Sequence, residues 1–369
     1  MLNRRVIHLT AAAMFLGLCS SASADILIAV AGPMTGATAA FGDQMKKGVS
    51  AAVADINAAG GVLGEKIVME IGDDACDPKQ AVAVANQLAG KRAKLVVGHY
   101  CSSSSIPASE VYEESGIIQI SPGSTNPALT DKGRYNVFRV CGRDDQQGRI
   151  AGDYFIKHFK NKKIAILHDK STGGKGLADE MRKRINEVGL KEVLYDAYNP
   201  GEKDYSAVIS RLKSINAEAI FIGGYYTEVG LIQRQSADQG YSPIVMSGDS
   251  LMTNEFWGIT GPTGEGALMT FSPDPRKNPE AASVIAALRK ANIEPEGYVL
   301  YAYGAVQAWA EAVKRAGSTD AKKVSAQLKT GSYPTVIGKV EFDAKGDNKA
   351  PGFVVYRWSK GSYEYADAM

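Results

Sequence analysis

Four consecutive serines follow a short apolar run at the point where a buried strand would end. Residues 95–97 are Leu-Val-Val and precede Gly98, a pattern typical of a parallel strand covered on both faces. The serines, 102–105, lead to Pro107, which we predict lies in the first turn of a helix, where an N–H would be unpaired in any case. The apolar face of that helix would comprise Ala108, Val111 and Tyr112.

This order of strand, serines and helix predicts an anion site. The first N–H groups of a helix lack intrahelical partners and lie at the positive end of its dipole. In open α/β sheets, such turns lie at the carboxyl ends of strands, where ligands bind. The segment has neither a glycine-rich phosphate loop nor a lysine, so a small carboxylate suits it better than a nucleotide. An ordinary serine cap without a ligand is the alternative.

Polar and aromatic side chains follow predicted strands in both halves of the chain. Ser102 and Thr125 follow strands of the first half, and Tyr225 and Asp249 follow strands of the second half. An acid at Asp249 facing an anion-binding helix end would suit an α-amino acid, because a buried ammonium and a buried carboxylate must each be paired. The alternative is that Asp249 caps a helix beginning near Thr253 or pairs locally.

Motifs for catalysis, metals and cofactors are weak. Residues 248–251, Gly-Asp-Ser-Leu, match a short signature of serine hydrolases, but that family needs an early serine and a downstream histidine, and no histidine follows His168. There is no G-x-S-x-G elbow, and residues 173–176 lack the spacing of a phosphate loop. The cysteines and histidines show no metal-ligand spacing. We therefore expect no enzyme activity, no cofactor and no metal.

The first 24 residues have the pattern of a secretory signal peptide. Two arginines precede an apolar run over residues 6–19, and a small-residue cleavage site ends at Ala24. A lipoprotein anchor at Cys19 is the alternative, although Leu18 before it is bulky. Cleavage would leave 40 basic and 40 acidic residues, which argues against nucleic acid and anionic membranes as partners. About 345 mature residues exceed what one core usually holds, so we predict two lobes.

Three cysteines remain after removal of the signal peptide: Cys76, Cys101 and Cys141. In an oxidising compartment two of the three should pair. We favour Cys76–Cys101, which would tie the loop after a predicted strand at 67–71 to the turn after the next strand and stabilise the fold by about 3 kcal/mol. Cys141 would then be a buried free thiol.

Strand and helix patterns alternate from Ile26 onward, as in parallel α/β layers. The predicted strands cover residues 26–31, 67–71, 95–97, 116–120, 163–167, 219–222, 243–246 and 267–271. A second series begins after Gly142, and the proline-rich residues 272–279 would return the chain to the first lobe. Two helices at 280–292 and 298–316 would follow, and then a terminal hairpin of strands at 339–342 and 353–359.

Long strings of residues give the chain a resemblance to a known family. They cover residues 41–44, 53–57, 73–86, 98–104, 168–170, 201–204 and 223–225. From Asp25 to about Trp358 the chain resembles the periplasmic leucine/isoleucine/valine-binding proteins of branched-chain amino acid ABC transporters. The resemblance implies an α/β fold of the two-lobed, type I periplasmic binding protein class, in which each lobe is a mostly parallel sheet flanked by helices and crossover strands join the lobes.

We expect lobe 1 to comprise residues 25–143 and 273–352, and lobe 2 to comprise 144–272 and 353–369. The resemblance implies a periplasmic monomer that closes on an amino acid and delivers it to the membrane permease of an ABC importer. A sensor of the same architecture that acts through a receptor is the alternative.

The resemblance also assigns roles to residues. Ser102 matches the serine that holds the ligand carboxylate, and Thr125 matches a threonine that contacts both the carboxylate and the ammonium. Gly123 matches a backbone carbonyl that accepts from the ammonium, and Ser124 lies beside it in the same turn. Tyr225 matches a tyrosine of the pocket wall. The favoured cysteine pair matches the disulfide of the family.

Three departures from the family pattern concern the ligand. Phe41 replaces a tyrosine or tryptophan, Gly173 replaces a tyrosine of the leucine binders, and Asp249 replaces a glutamate that is one methylene longer. Loss of the tyrosine side chain would open space, so branched-chain specificity does not follow from the resemblance. Tyr298 and Tyr301 are candidates to refill the pocket, with core packing as the alternative.

Overall fold

The computed structural model describes residues 25–350 and 352–367, so the predicted signal peptide lies outside the described residues. The strands are β1 (Ile26–Gly32), β2 (Ile67–Asp73), β3 (Leu95–Gly98), β4 (Ile118–Ser121), β5 (Val137–Arg139), β6 (Ile164–His168), β7 (Leu194–Ala197), β8 (Ala219–Gly223), β9 (Ile244–Ser247), β10 (Leu268–Phe271), β11 (Tyr333–Thr335), β12 (Gly338–Val340), β13 (Val354–Ser359) and β14 (Ser362–Tyr365).

The helices are α1 (Ala39–Ala58), α2 (Pro78–Gly90), α3 (Ser102–Glu114), α4 (Ala128–Asp131), α5 (Asp144–Phe159), α6 (Thr172–Glu187), α7 (Ser206–Ser214), α8 (Tyr226–Asp238), α9 (Asn254–Thr260), α10 (Ala282–Lys290), α11 (Val299–Ala316) and α12 (Ala321–Thr330). Short 3-10 turns lie at Asp249–Leu251, Gly261–Gly264, Pro275–Lys277 and Pro279–Ala281.

Two sheets organise the α/β fold. The first has five strands in the order β2-β1-β3-β4-β5, all parallel. The second has seven strands in the order β14-β13-β10-β9-β8-β6-β7, in which β13 and β14 form an antiparallel edge and the other strands are parallel. Parallel strands need helical crossovers, which explains the alternating pattern of the sequence.

The chain passes between the sheets three times: after β5, after β10, and between β12 and β13. Between the second and third passages, α11 packs against α1 and the first sheet. The two helices approach closely at Gly48, where a Cβ atom would lie 2.1 Å from the Val299 carbonyl oxygen. Helix α11 is therefore buried on most of its surface, and it carries the fully buried Trp309.

The terminal hairpin predicted from the sequence is wrong. Strand β12 pairs with β11 in a separate two-stranded sheet, whereas β13 pairs with β14 and β10. Strands of three residues, such as β11 and β12, are too short to give an alternating pattern that identifies a partner. Strand β5, also of three residues, was missed for the same reason, and β7 (Leu-Tyr-Asp-Ala) was missed because its four residues include an acidic residue and do not form an apolar run.

The Cys76–Cys101 disulfide is present, as predicted, with 5.5 Å between the Cα atoms. It joins the loop after β2 to the N-cap residue of α3. Cys141 is a buried free thiol, also as predicted.

Candidate functional site

The serine segment lies inside α3 rather than before it. Cys101 is the N-cap residue, and its carbonyl oxygen accepts from the N–H groups of Ser104 and Ser105, at 2.9 Å each. The prediction that Pro107 occupies the first turn is therefore wrong, because the helix begins five residues earlier and tolerates the proline in its interior. The consequence for the site is that Ser102 is the first residue of the helix, where N–H groups have no intrahelical partner.

The turn after β4 brings a second set of groups to this helix end. The Ser121 hydroxyl accepts from the Ser124 N–H at 2.9 Å, and the Ser102 hydroxyl accepts from the Asn126 N–H at 3.2 Å. Gly123 packs against Tyr100 so closely that a Cβ atom would lie 2.5 Å from the ring. The turn therefore requires glycine at this position.

The second sheet contributes groups from the carboxyl ends of three parallel strands. Gly173 lies in the first turn of α6, after β6. Tyr225 precedes α8, after β8, and Asp249 follows β9. Carboxyl ends of parallel strands meet at one edge of a sheet, so these three positions converge.

Groups from both sheets line one small cavity of about 30 Å³. Six of the residues predicted from the sequence line it: Ser102, Gly123, Thr125, Gly173, Tyr225 and Asp249. A Cβ atom on Gly173 would lie 3.8 Å from the Ser102 Oγ and 3.5 Å from the Tyr225 hydroxyl, so the two halves nearly touch across the cavity.

Four predicted site residues do not line this cavity. Phe41 is fully buried and stacks on the cavity residue Tyr100, with 4.3 Å between ring centroids. The Ser124 hydroxyl is turned inward, where it donates to the Tyr100 carbonyl oxygen at 2.8 Å. Tyr298 and Tyr301 line a smaller adjoining space of about 10 Å³ that shares Thr125 and Asp249 with the cavity. These rings therefore lie behind the cavity wall.

Asp249 makes side-chain contacts with two other elements. It accepts a hydrogen bond from Gln147 Nε2 of α5 at 3.0 Å and another from the Tyr298 hydroxyl. Burial raises the pKa of this carboxyl, and both donors oppose that rise by stabilising the anion. The alternative in which Asp249 caps α9 is wrong, because the Thr253 side chain is the cap.

Asp144 also lines the cavity, and the sequence prediction missed it. It is the first residue of α5 and is fully buried. Burial raises the pKa of its carboxyl to about 7; the nearby Thr125 hydroxyl lowers it, and the charge of Asp249 adds to the rise. The available signal was its place just after an apolar strand, but β5 has only three residues.

The other lining residues that the prediction missed are Tyr100, Gly174, Leu177, Gly224, Gly248 and Ser250. Most of them are sequence neighbours of predicted residues, so strand-end position was again the usable signal. A Cβ atom at Gly248 would lie 2.5 Å from Leu177 Cδ2, so a larger residue there would displace the Leu177 side chain in the cavity wall.

Ser250, the serine of the hydrolase-like motif, forms a hydrogen bond to the backbone. Its hydroxyl donates to the Gly224 carbonyl oxygen at 2.5 Å and is 5% exposed. No group of three or more potential metal ligands occurs among residues 25–350 and 352–367. Within the same ranges, no helix is long and apolar enough to cross a bilayer.

Residues 25–362 match the family described as periplasmic binding protein. The Leu/Ile/Val-binding protein homolog 1 of Brucella suis biovar 1 is 51% identical to this chain, over 93% of this chain and 92% of that protein. These relatives are solute-binding proteins and not enzymes.

Two solved structures share the fold. The leucine binding protein LivK of Thermotoga maritima superimposes with a TM-score of 0.85 at 28% identity, over 93% of this chain and 98% of that one. The substrate binding protein LivJ of Streptococcus pneumoniae, solved in complex with isoleucine, gives a TM-score of 0.83 at 26% identity, over 92% of this chain and 98% of that one.

Proposed function

This chain belongs to the periplasmic binding protein family, and from that premise we propose that it is the amino-acid receptor of an ABC importer. The observation that carries the proposal is the facing pair of Ser102 and Asp249 across one cavity. The first turn of α3 offers N–H groups to a carboxylate, and the buried Asp249 offers a negative charge to an ammonium. A zwitterion held between them has both of its charges paired inside protein, as burial requires.

The remaining groups fit this orientation. Thr125 and Gly123 also line the cavity, and we propose that the Thr125 hydroxyl serves both the carboxylate and the ammonium and that the Gly123 carbonyl oxygen accepts from the ammonium. Tyr100, Tyr225 and Leu177 supply apolar surface for the side chain of the ligand. This apolar lining favours a small or branched aliphatic amino acid, and the cavity of about 30 Å³ must enlarge to admit it.

Such enlargement fits hinge opening between two lobes, for which we retain the divisions 25–143 with 273–352 and 144–272 with 353–369. Asn126 Nδ2 donates to the Thr172 carbonyl oxygen at 2.9 Å on one side of the cleft, and the Thr227 hydroxyl donates to the Ala37 carbonyl oxygen at 2.7 Å on another. These bonds are broken when the lobes separate, and they re-form around the ligand.

We place the mature monomer, beginning after Ala24, in the periplasm, where a membrane permease would receive the amino acid. Thermal unfolding of the mature chain, refolded to remove bound solutes, tests the binding step. We expect a raised Tm with at least one of the common amino acids or γ-aminobutyrate, since ligands that bind only the folded state stabilise it. No shift with any of them would contradict the proposal.

A further inference from the structure

The Asp144 carboxyl is the least compensated group of the cavity. It is fully buried, and although the nearby Thr125 hydroxyl lowers its pKa, neither of its oxygens has a donor in hydrogen-bond geometry among the described residues. Asp249, by contrast, accepts from Gln147 and Tyr298. A buried carboxylate without donors is costly unless a cation pairs with it or a proton neutralises it. A cationic group that entered the cavity would therefore stabilise the ionised form of Asp144.

The ionisable groups around Asp144 come from several elements. Arg139 of β5 is the basic one, but its Nε lies 2.7 Å from Asp347 Oδ1, and its Nη1 donates to the Ser124 carbonyl oxygen at 2.7 Å. Asp249, after β9, and Asp145, on the same helix, are acidic and oppose ionisation of Asp144. Tyr225, before α8, and Cys141 are further titratable groups that interact with Asp144.

The balance of these groups leaves the cavity short of positive charge. Arg139 pairs with Asp347, and its charge only partly offsets the burial of Asp144, so no cation makes direct contact with Asp144 or Asp249 among the residues described. One ligand ammonium entering between them supplies the missing charge.

We propose that Asp144 is a second acidic residue of the ammonium site and that it releases its proton to solvent when the ammonium binds. This inference rests on the proposed function. No bond other than the carboxyl O–H breaks: the proton passes to water, and the carboxylate that remains pairs with the ammonium. Binding is consequently coupled to pH.

The coupling has a defined sign. In the empty protein, burial holds the pKa of Asp144 at about 7, so the acid is mostly neutral at pH 6. A bound ammonium lowers that pKa, and binding below pH 7 must then expel a proton. Affinity therefore rises with pH, by up to about tenfold per unit below pH 7, and levels off above it.

Calorimetry of the mature chain tests this without any variant. The probe is whichever of L-leucine, L-valine, L-alanine and γ-aminobutyrate gives the largest thermal shift. Titrations at pH 7 in two buffers of different ionisation enthalpy give the number of protons released. We expect about half a proton, since the group is half-ionised at its pKa.

Asp144→Asn keeps the shape of the side chain and removes its titration, so proton release should vanish and affinity should become flat between pH 6 and pH 8. The matched control is Asp145→Asn, the neighbouring and more exposed acid, which should still bind the probe with release of a proton. A tightly bound probe with no proton release, or release that persists in Asp144→Asn, would overturn the inference while leaving the proposed function in place. Absence of binding by every probe would instead overturn the proposed function itself.

Discussion

The Tyr298 hydroxyl donates a hydrogen bond to Asp249, and this contact joins the two halves of the molecule. Asp249 follows β9 of the second sheet, whereas Tyr298 precedes α11, which packs on the first sheet. The ring of Tyr298 also meets Phe41 edge-on, at 5.6 Å between centroids. The acid that we assign to the ammonium is thus positioned by an aromatic group from across the cleft.

Replacing Tyr298 by Phe should weaken ligand binding more at pH 6 than at pH 8. The hydroxyl opposes the burial-driven rise in the pKa of Asp249, so its loss favours the neutral acid at the lower pH. Calorimetric affinities at the two pH values provide the measurement. Tyr301→Phe is the control, because Tyr301 lines the same adjoining space as Tyr298 but is not one of the two donors to Asp249. Equal losses at both pH values would argue against this role.

Asp249→Ala should reduce affinity by at least about a hundredfold, since a buried charge that loses its partner costs about 3–5 kcal/mol. Ser102→Ala should cost less, because the N–H groups of the first turn of α3 remain. Calorimetry measures both variants, and circular dichroism melts establish that both fold. Unchanged affinity in Asp249→Ala would remove this residue from the site.

Gly173→Ala should weaken binding without loss of stability. The new methyl group would lie 3.5 Å from the Tyr225 hydroxyl, in ordinary contact, but inside the cavity. Alanine in a helix is favoured over glycine by about 0.5–1 kcal/mol, so the Tm should hold or rise. Gly258→Ala in α9 is the control, because a Cβ atom there meets nothing within 4 Å. It measures only the change in Tm caused by replacing a helical glycine with alanine. Wild-type affinity in Gly173→Ala would place the ligand elsewhere.

Thr227→Val tests the contact between lobes. Removing the hydroxyl bond to the Ala37 carbonyl oxygen should lower affinity by about two- to tenfold, the range expected for one hydrogen bond of about 0.5–1.5 kcal/mol. Thr330→Val, whose hydroxyl donates within its own helix, is the matched control. Small-angle scattering of the ligand-free variant should show a larger radius of gyration than wild type. An equal loss of affinity in Thr227→Val and Thr330→Val would indicate that the loss is unrelated to closure of the lobes.

Asp144→Asn should stabilise the empty protein at pH 8 but not at pH 4. Burial raises the pKa of this group from 3.8 to about 7 in the folded state. The folded protein therefore binds the proton more tightly than the unfolded chain, and the stability contributed by the neutral acid is lost as pH rises between those values. The difference in Tm between variant and wild type should accordingly grow from pH 4 to pH 8. A difference independent of pH would contradict this account.

Sequence patterns anticipated the long elements and the strand ends that carry the site. The apolar spacing of α1 and the continuous apolar run of β3 reflect burial directly, so both elements could be predicted. The three-residue strand β5 carries too little pattern, and Asp144, which depends on it for its position, was missed with it.

Tertiary packing determines which side chains line the cavity, and this cannot be predicted from the local sequence. Phe41 and Tyr298 were both predicted to lie at the pocket, yet Phe41 stacks on the cavity residue Tyr100 and Tyr298 meets it edge-on, so neither lines the cavity. Which side chain reaches a cavity depends on neighbours distant in the chain, and spacing along one segment carries no information about them.

The disulfide ends at Cys101, the residue immediately before Ser102, and so it fixes the helix end assigned to the carboxylate of the ligand. A newly made chain in a reducing cytoplasm lacks this anchor. Under the proposed function, this helix end would be fixed only after export and oxidation, so we expect the reduced precursor to bind the amino acid more weakly than the mature chain.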